Sequence, residues 1–272
     1  MSVKLGLIGN GFVGSAARQL ACDKNQVIVY DIDPTKCVPV GTTLQNVAEC
    51  DLVFVAVPTP AAQDGTCHLG IVESVVGQLK AANAECRIVI RSTCPPGTAE
   101  RLECIFMPEF LTEANAKEDF RKNQLWIIGG DESETLQRLL TNAKEAGCIE
   151  SDKLIQMRSQ EAELVKYARN CFLATKVSFF NEVSSVCDRL GLNYESVRYG
   201  VTHDARIGSG HSRVPGPDGL KGYGGHCFPK DVAAWCHFAK SEHSVVRAVH
   251  ERNYNVDRPE HDWEKDKGRA VV

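Results

Sequence analysis

Apolar residues follow two different rhythms along this chain. In the first half they form short unbroken runs: Val3 to Ile8, "QVIVYDID", "DLVFVAVP", "RIVIRST", "ECIFMP" and "QLWIIGG". Runs of this length, bounded by Gly, Pro and polar residues, predict strands buried on both faces. Helical periods over "FVGSAARQLA", 71–82 and 132–146 separate some of them. Strands alternating with helices predict an α/β fold with a doubly wound, mostly parallel sheet. From about Ser159 the rhythm changes. Ala162, Val165, Ala168, Phe172, Val177, Phe180, Val183, Val186 and Leu190 recur at three- and four-residue steps. Gly191 supplies a stop, so one long helix is expected. "NYESVRYGV" predicts a second helix. Residues 207–225 are rich in Gly and Pro and have no period. A loop of that length inside a domain is usually functional or disordered. Residues 232–255 predict a last helix. The expected organisation is a sheet domain over 1–158, an all-helical domain over 159–256 and a charged tail over 257–272.

The turn after the first strand is chemically specific. "GNGFVG" places Gly9, Gly11 and Gly14 at the spacing of a dinucleotide-binding turn between a strand and a helix. Gly9 permits the tight turn, Gly11 lets backbone approach a pyrophosphate, and Gly14 lets the helix pack on the sheet. Phe12 and Val13 open that helix, whose N-terminus favours phosphate. Asp31 ends the second strand, about 20 residues further on, where an acid binds the ribose 2′-hydroxyl and repels a 2′-phosphate. The expectation is a Rossmann-like domain using NAD, with Asp33 as a weaker alternate to Asp31. Ligands in such sheets sit at the strand carboxyl ends. "VPTP", with Val57, Pro58 and Thr59, and "STCPPGT", with Thr93, are two such ends.

Composition narrows the classes. The 272 residues are 43% hydrophobic and 24% charged, with a net charge of −4. No basic block points to nucleic acid or an anionic membrane, and no apolar run reaches the ~18 residues of a membrane span. Twelve cysteines are spread evenly, none at Cys-x-x-Cys spacing, so no structural metal is expected. Most should be reduced, buried thiols, which implies a cytoplasmic setting. Against that background stands "GYGGHCFPKD", where Cys227 follows close-approach glycines and precedes Lys230 and Asp231. A cysteine beside a hydride acceptor fits aldehyde oxidation through a thioester. Lys166 and Asn170 share one face of the long helix.

Eight stretches in order carry a resemblance to the UDP-glucose/GDP-mannose dehydrogenases: "GNGFVG", "YDID", "VPTP", "STCPPGT", "MPEFLTEANAKEDF", "ELVKYARNCFLATKVSFFNE", "DARIG" and "GYGGHCFPKD". The resemblance implies oxidation of a nucleotide-sugar C6 alcohol to a carboxylate by two NAD in turn. It makes Cys227 the nucleophile, Lys166 and Asn170 the oxyanion partners, and Asp231 an aid to the lysine and a water. Thr93 and Glu109 would position water or handle protons. Glu113, Arg206, Tyr223 and Gly224 would contact the substrate, Arg206 near a dimer interface. The implied partners are a UDP-sugar and a second copy of the chain.

Some positions depart from the family pattern. Met107 and Ala114 stand where Asn and Gly are usual, and His226 where Ser is common. His226 resembles the N-acetylhexosamine branch and "FPKD" the UDP-glucose branch. The chain reaches Val272 without residues for the family's second Rossmann-like domain, so that domain is expected to be lacking. Two alternatives stay open: a β-hydroxyacid-type dehydrogenase with a smaller substrate, and an inactive NAD-binding remnant partnering a separate UDP-binding chain. On the plainest reading Glu109 and Glu113 are solvated carboxylates, and Asp231 caps a helix before "VAAW".

Overall fold

The computed structural model describes residues 1–131, 134–241 and 243–272. It divides into two units, 1–59 with 69–166, and 60–68 with 167–272. The division falls inside the long helix, after Lys166. The reason is packing: Ala162 and Val165 of that helix belong to the core of the sheet unit.

The first unit contains β1 (Val3–Ile8), α1 (Phe12–Ala17), β2 (Asn25–Tyr30), α2 (Leu44–Ala48), β3 (Leu52–Val55), α3 (Gly70–Ala82) and β4 (Ile88–Ile90). It continues with α4 (Thr98–Arg101), β5 (Ile105–Phe106), α5 (Ala116–Arg121), β6 (Trp126–Gly129), α6 (Glu134–Glu145), β7 (Leu154–Met157) and the start of α7 (Ser159–Leu190). Of the helix expected over 132–146, residues 132 and 133 lie outside the described residues. The strands form one sheet in the order β2-β1-β3-β4-β5-β6-β7. All neighbours are parallel except β5 and β6. On β3, Leu52 and Phe54 enter one core cluster, while Val53 and Val55 enter the cluster on the other face. That two-sided burial explains the unbroken apolar run. β7 gave no such run because it is only partly buried and exposes Gln156. Winding reverses between β1 and β3, so a ligand crevice is expected outside their carboxyl ends.

The second unit holds the rest of α7, α8 (Tyr194–Thr202), α9 (Phe228–Ala239) and α10 (Val245–Arg252). Cys171, Ala174, Tyr223, Val232 and Val249 form its core. The single helix expected over 232–255 is two helices. Lys240 takes a left-handed φ of 48° and ends α9, and the Ser244 hydroxyl accepts from Arg247 N at 3.3 Å to start α10. α9 begins four residues earlier than expected, with Cys227 as its N-cap. Residues 257–272 are no loose tail. Trp263 and Ala270 are buried, Ala61 N donates to Ala270 O, and Val272 N donates to Ala61 O. Their charges are taken up locally, as in the Arg258–Asp262 pair.

The buried stripe of α7 mixes apolar residues, Ala162, Tyr167, Cys171 and Phe180 among them, with polar ones. Glu163, Lys166, Asn170, Ala174, Ser178, Asn181 and Ser184 are buried, while Phe172 is 69% and Leu190 61% exposed. Among the described residues no helix is long and apolar enough to cross a membrane.

Candidate active site

At the switch between β1 and β3 the glycine turn is forced by contact. Gly9 has φ +91°, and a Cβ there would lie 2.4 Å from the Ala56 carbonyl oxygen. A Cβ on Gly14 would lie 1.9 Å from Gly9 O. Gly11 instead has nothing within 4 Å of where its Cβ would stand. It N-caps α1 without a side-chain cap, so the amides of Phe12 and Val13 open the helix uncapped. Asp31 Oδ2 accepts from Asn10 N at 2.7 Å and Oδ1 from Asp33 N at 2.9 Å. Each oxygen keeps a lone pair for a ribose hydroxyl. Asp33 is engaged in capping Thr35. Ser92 Oγ accepts from Val57 N and donates to Val57 O at 2.7 Å, tying Val57–Pro58–Thr59 to the loop carrying buried Thr93. An open glycine, uncapped amides and a carboxylate at the next strand end fit a dinucleotide.

Beyond β5, Glu109 is buried and is no solvated carboxylate. Lys166 Nζ donates to Glu109 Oε1 and to its carbonyl oxygen, both at 2.7 Å. Burial opposes ionisation of Glu109. The Lys166 charge and hydrogen bond, the Leu111 amide and the Arg91 guanidinium outweigh it and hold the carboxyl below its usual range. Arg91 is itself buried, against Phe54 and Phe120. A charged residue inside the run "RIVIRST" was the available signal for it.

Glu163 lies one turn before Lys166, and Glu-x-x-Lys spacing is its one mark in the sequence. Its carboxylate accepts from Gly97 N at 2.6 Å and Ala99 N at 2.7 Å, pinning the "STCPPGT" loop. Burial pushes its carboxyl up to about 7, against the two amides that favour the anion. Between the ordinary carboxylate value and about 7 the native state therefore holds a proton that the unfolded chain releases. Stability should rise by about 3 kcal/mol as pH falls through that window, the increment being absent above it. Urea melts at pH 5.5 and 7.5 should show about 2 kcal/mol of this difference, and Glu163→Gln should flatten it.

The second unit carries the thiol. Cys227 is half-buried and opens α9, where a helix N-terminus and a nearby ammonium favour negative charge. Asp231 is no N-cap. It is buried in the first turn, accepting from Asn170 Nδ2 and Lys230 Nζ, both at 2.5 Å. Burial lowers the Lys230 pKa, but the Asp231 carboxylate, with the Cys227 and Cys67 sulfurs, reverses this and raises it. The lysine paired with Asp231 is thus Lys230, which the motif placed in view without a role.

A cavity of about 860 Å³ in this unit is lined by Arg198, His203, His211, Arg213, Tyr223 and Gly224 among others. Tyr223 is mainly core: it is buried, and its ring meets Phe228 edge-on. Arg206 is exposed and paired with Asp204, and Glu113 is exposed. Among the described residues no group of three or more His, Cys, Asp or Glu is placed to hold a metal. Burial pushes the thiols of Cys50, Cys86 and Cys104 up to about 11, as suits inert core cysteines.

Family models match residues 40–143, as the NAD binding domain, and 160–255, as the central domain, of the UDP-glucose/GDP-mannose dehydrogenase family. UDP-glucose 6-dehydrogenase of Pseudomonas aeruginosa is 37% identical over 246 residues, 82% of this chain and 52% of that protein. The chain spans about half the length of the curated relatives it matches. A UDP-glucose dehydrogenase from the archaeon Pyrobaculum islandicum superposes with TM-score 0.76 at 30% identity, covering 92% of this chain and 68% of that one. A Mycobacterium tuberculosis 3-hydroxyisobutyrate dehydrogenase superposes with TM-score 0.70 at 17% identity, covering 100% and 97%, which shows the fold alone. With both domain models matched in order and an archaeal structure aligned over most of its length, the chain belongs to the UDP-glucose/GDP-mannose dehydrogenase family.

Proposed function

We propose that this chain takes part in the NAD-dependent oxidation of a nucleotide-sugar C6 alcohol to the uronate, with UDP-glucose as substrate. One observation carries the reading. Cys227 opens α9 beside a buried Lys230–Asp231–Asn170 cluster, in a chain whose other unit has a dinucleotide cradle. Gly9–Gly14, Asp31 toward the ribose and the Val57–Thr59 and Thr93 loops would hold NAD, which would supply the hydride acceptor for both oxidations.

The residues divide the remaining work. In the first oxidation the alcohol proton passes to a base, for which water held by Thr93 and Glu109 is assigned. In the second, the Cys227 sulfur bonds to the aldehyde carbon and the carbonyl electron pair moves to oxygen. Lys166 and Asn170 stabilise that oxyanion. Loss of hydride leaves a thioester. Water then adds to it, and the thiolate leaves as the acid forms. The Arg- and His-lined cavity suits the diphosphate. A second copy of this chain is the expected protein partner, since α7 exposes Phe172 and Phe179.

The test is NADH production by purified protein with UDP-glucose, UDP-N-acetylglucosamine, UDP-N-acetylmannosamine and GDP-mannose. Two NADH per uronate with UDP-glucose is expected. Normal NAD binding without turnover of any sugar would remove the stand-alone activity. Turnover of a small β-hydroxyacid would replace the substrate class.

A further inference from the structure

The chain entering Cys227 is gripped by a segment to which neither the sequence nor the family match gives a role. Asn253, buried in the turn after α10, accepts from Tyr223 N at 2.8 Å and donates to Tyr223 O at 3.0 Å. From the other side, Asn181 Oδ1 of α7 accepts from Gly222 N at 3.1 Å. Arg258 is 3% exposed. Its Nη1 donates to Asp218 Oδ2 at 2.6 Å, on the glycine loop, while Nε and Nη2 hold Asp262 in a two-pronged pair. The guanidinium lies so close on Gly224 that a Cβ there would stand 2.4 Å from Cζ. A planar, bidentate guanidinium can lie on backbone and tie two carboxylates at once, which an ammonium cannot. Arg258 and Asp262 lie beyond the matched central domain, which ends at 255.

We propose that Arg258, together with Asn253, is a positioning residue that clamps the Gly222–Gly224 backbone and thereby fixes where Cys227 stands. Only two residues separate Gly224 from Cys227, and α9 starts directly after, so freedom in the loop passes straight to the thiol. The effect on turnover rests on Cys227 being the reacting thiol. The effect on thiol position does not.

Arg258→Met and the milder Asp218→Asn test the clamp, with Cys227 alkylation by iodoacetamide followed by site-resolved mass spectrometry. Loosening the loop should speed Cys227 alkylation about tenfold in Arg258→Met and about threefold in Asp218→Asn, with buried Cys94 and Cys104 unchanged. Turnover with UDP-glucose should fall through kcat more than through KM for NAD. Cys227 alkylation unchanged in folded variants overturns the clamp, and so does an equal rise at every cysteine. If Arg258→Met fails to fold, Asp218→Asn decides alone, because the Asp218 side chain is 44% exposed. Alkylation needs no turnover, so selective acceleration at Cys227 upholds the clamp even if the wild-type chain makes no NADH.

Discussion

Replacing Cys227 by Ser should cut uronate production by at least about a thousandfold, with NAD affinity kept within about twofold. The two halves of that expectation have separate physical grounds. The hydroxyl of Ser is far less acidic than a thiol, and the α9 N-terminus with Lys230 cannot make up that difference. The residues proposed to hold the nucleotide, Gly9, Gly11, Gly14 and Asp31, by contrast, lie in the first unit. The first oxidation forms no bond to sulfur, so trace aldehyde should accumulate where acid does not. Chromatography of the sugar products, alongside NAD titration by fluorescence, reads both. A Cys227→Ser variant that kept full acid production would end the thioester assignment.

How far the sequence could be read follows from the kind of signal each feature leaves. The sheet was legible because strands buried on both faces, such as β3, must be apolar throughout. The glycine turn was legible because Gly9 and Gly14 have no room for a Cβ. α7 was legible as a helix but misleading as a surface. Its apolar period picked out Ala162 and Phe180, which are buried, but also Phe172 and Leu190, which are exposed, and it missed the buried Glu163, Lys166, Asn170 and Asn181. Those polar side chains are buried because each meets a backbone group or a carboxylate distant in sequence. Periodicity cannot foresee such partners. The same limit applies to 257–272. Its charges read as a solvated tail, yet Arg258 is buried because Asp218 and Asp262 neutralise it. Glu113 and Arg206 show the converse: the family motif singles them out, and in the isolated chain both are exposed.

Lys166→Met should be the most damaging substitution in the first unit. Lys166 is 4% and Glu109 7% exposed, so removing the ammonium strands a buried carboxylate. Breaking a buried pair in this way costs about 3–5 kcal/mol. The remaining influences on Glu109 are burial, the Leu111 amide and the more distant Arg91, and burial is the largest, so the carboxyl should move up. In the wild type the sign runs the other way. The pair's stabilisation is complete above the ordinary Glu value of 4.5 and is lost as pH falls through the depressed one. The double variant Lys166→Met/Glu109→Gln separates structure from chemistry. With no carboxylate left to strand, it should recover part of the lost stability, Arg91 having lost its counter-charge, and lose the wild type's acid-side stability change below about 4.5. Turnover should stay down by about a hundredfold or more, because the ammonium assigned to the oxyanion is gone. Urea melts from pH 3.5 to 7.5, run beside NADH assays on the three proteins, distinguish these outcomes. If the double variant regained activity along with stability, Lys166 would be a partner for Glu109 alone, and the oxyanion role would pass to Asn170.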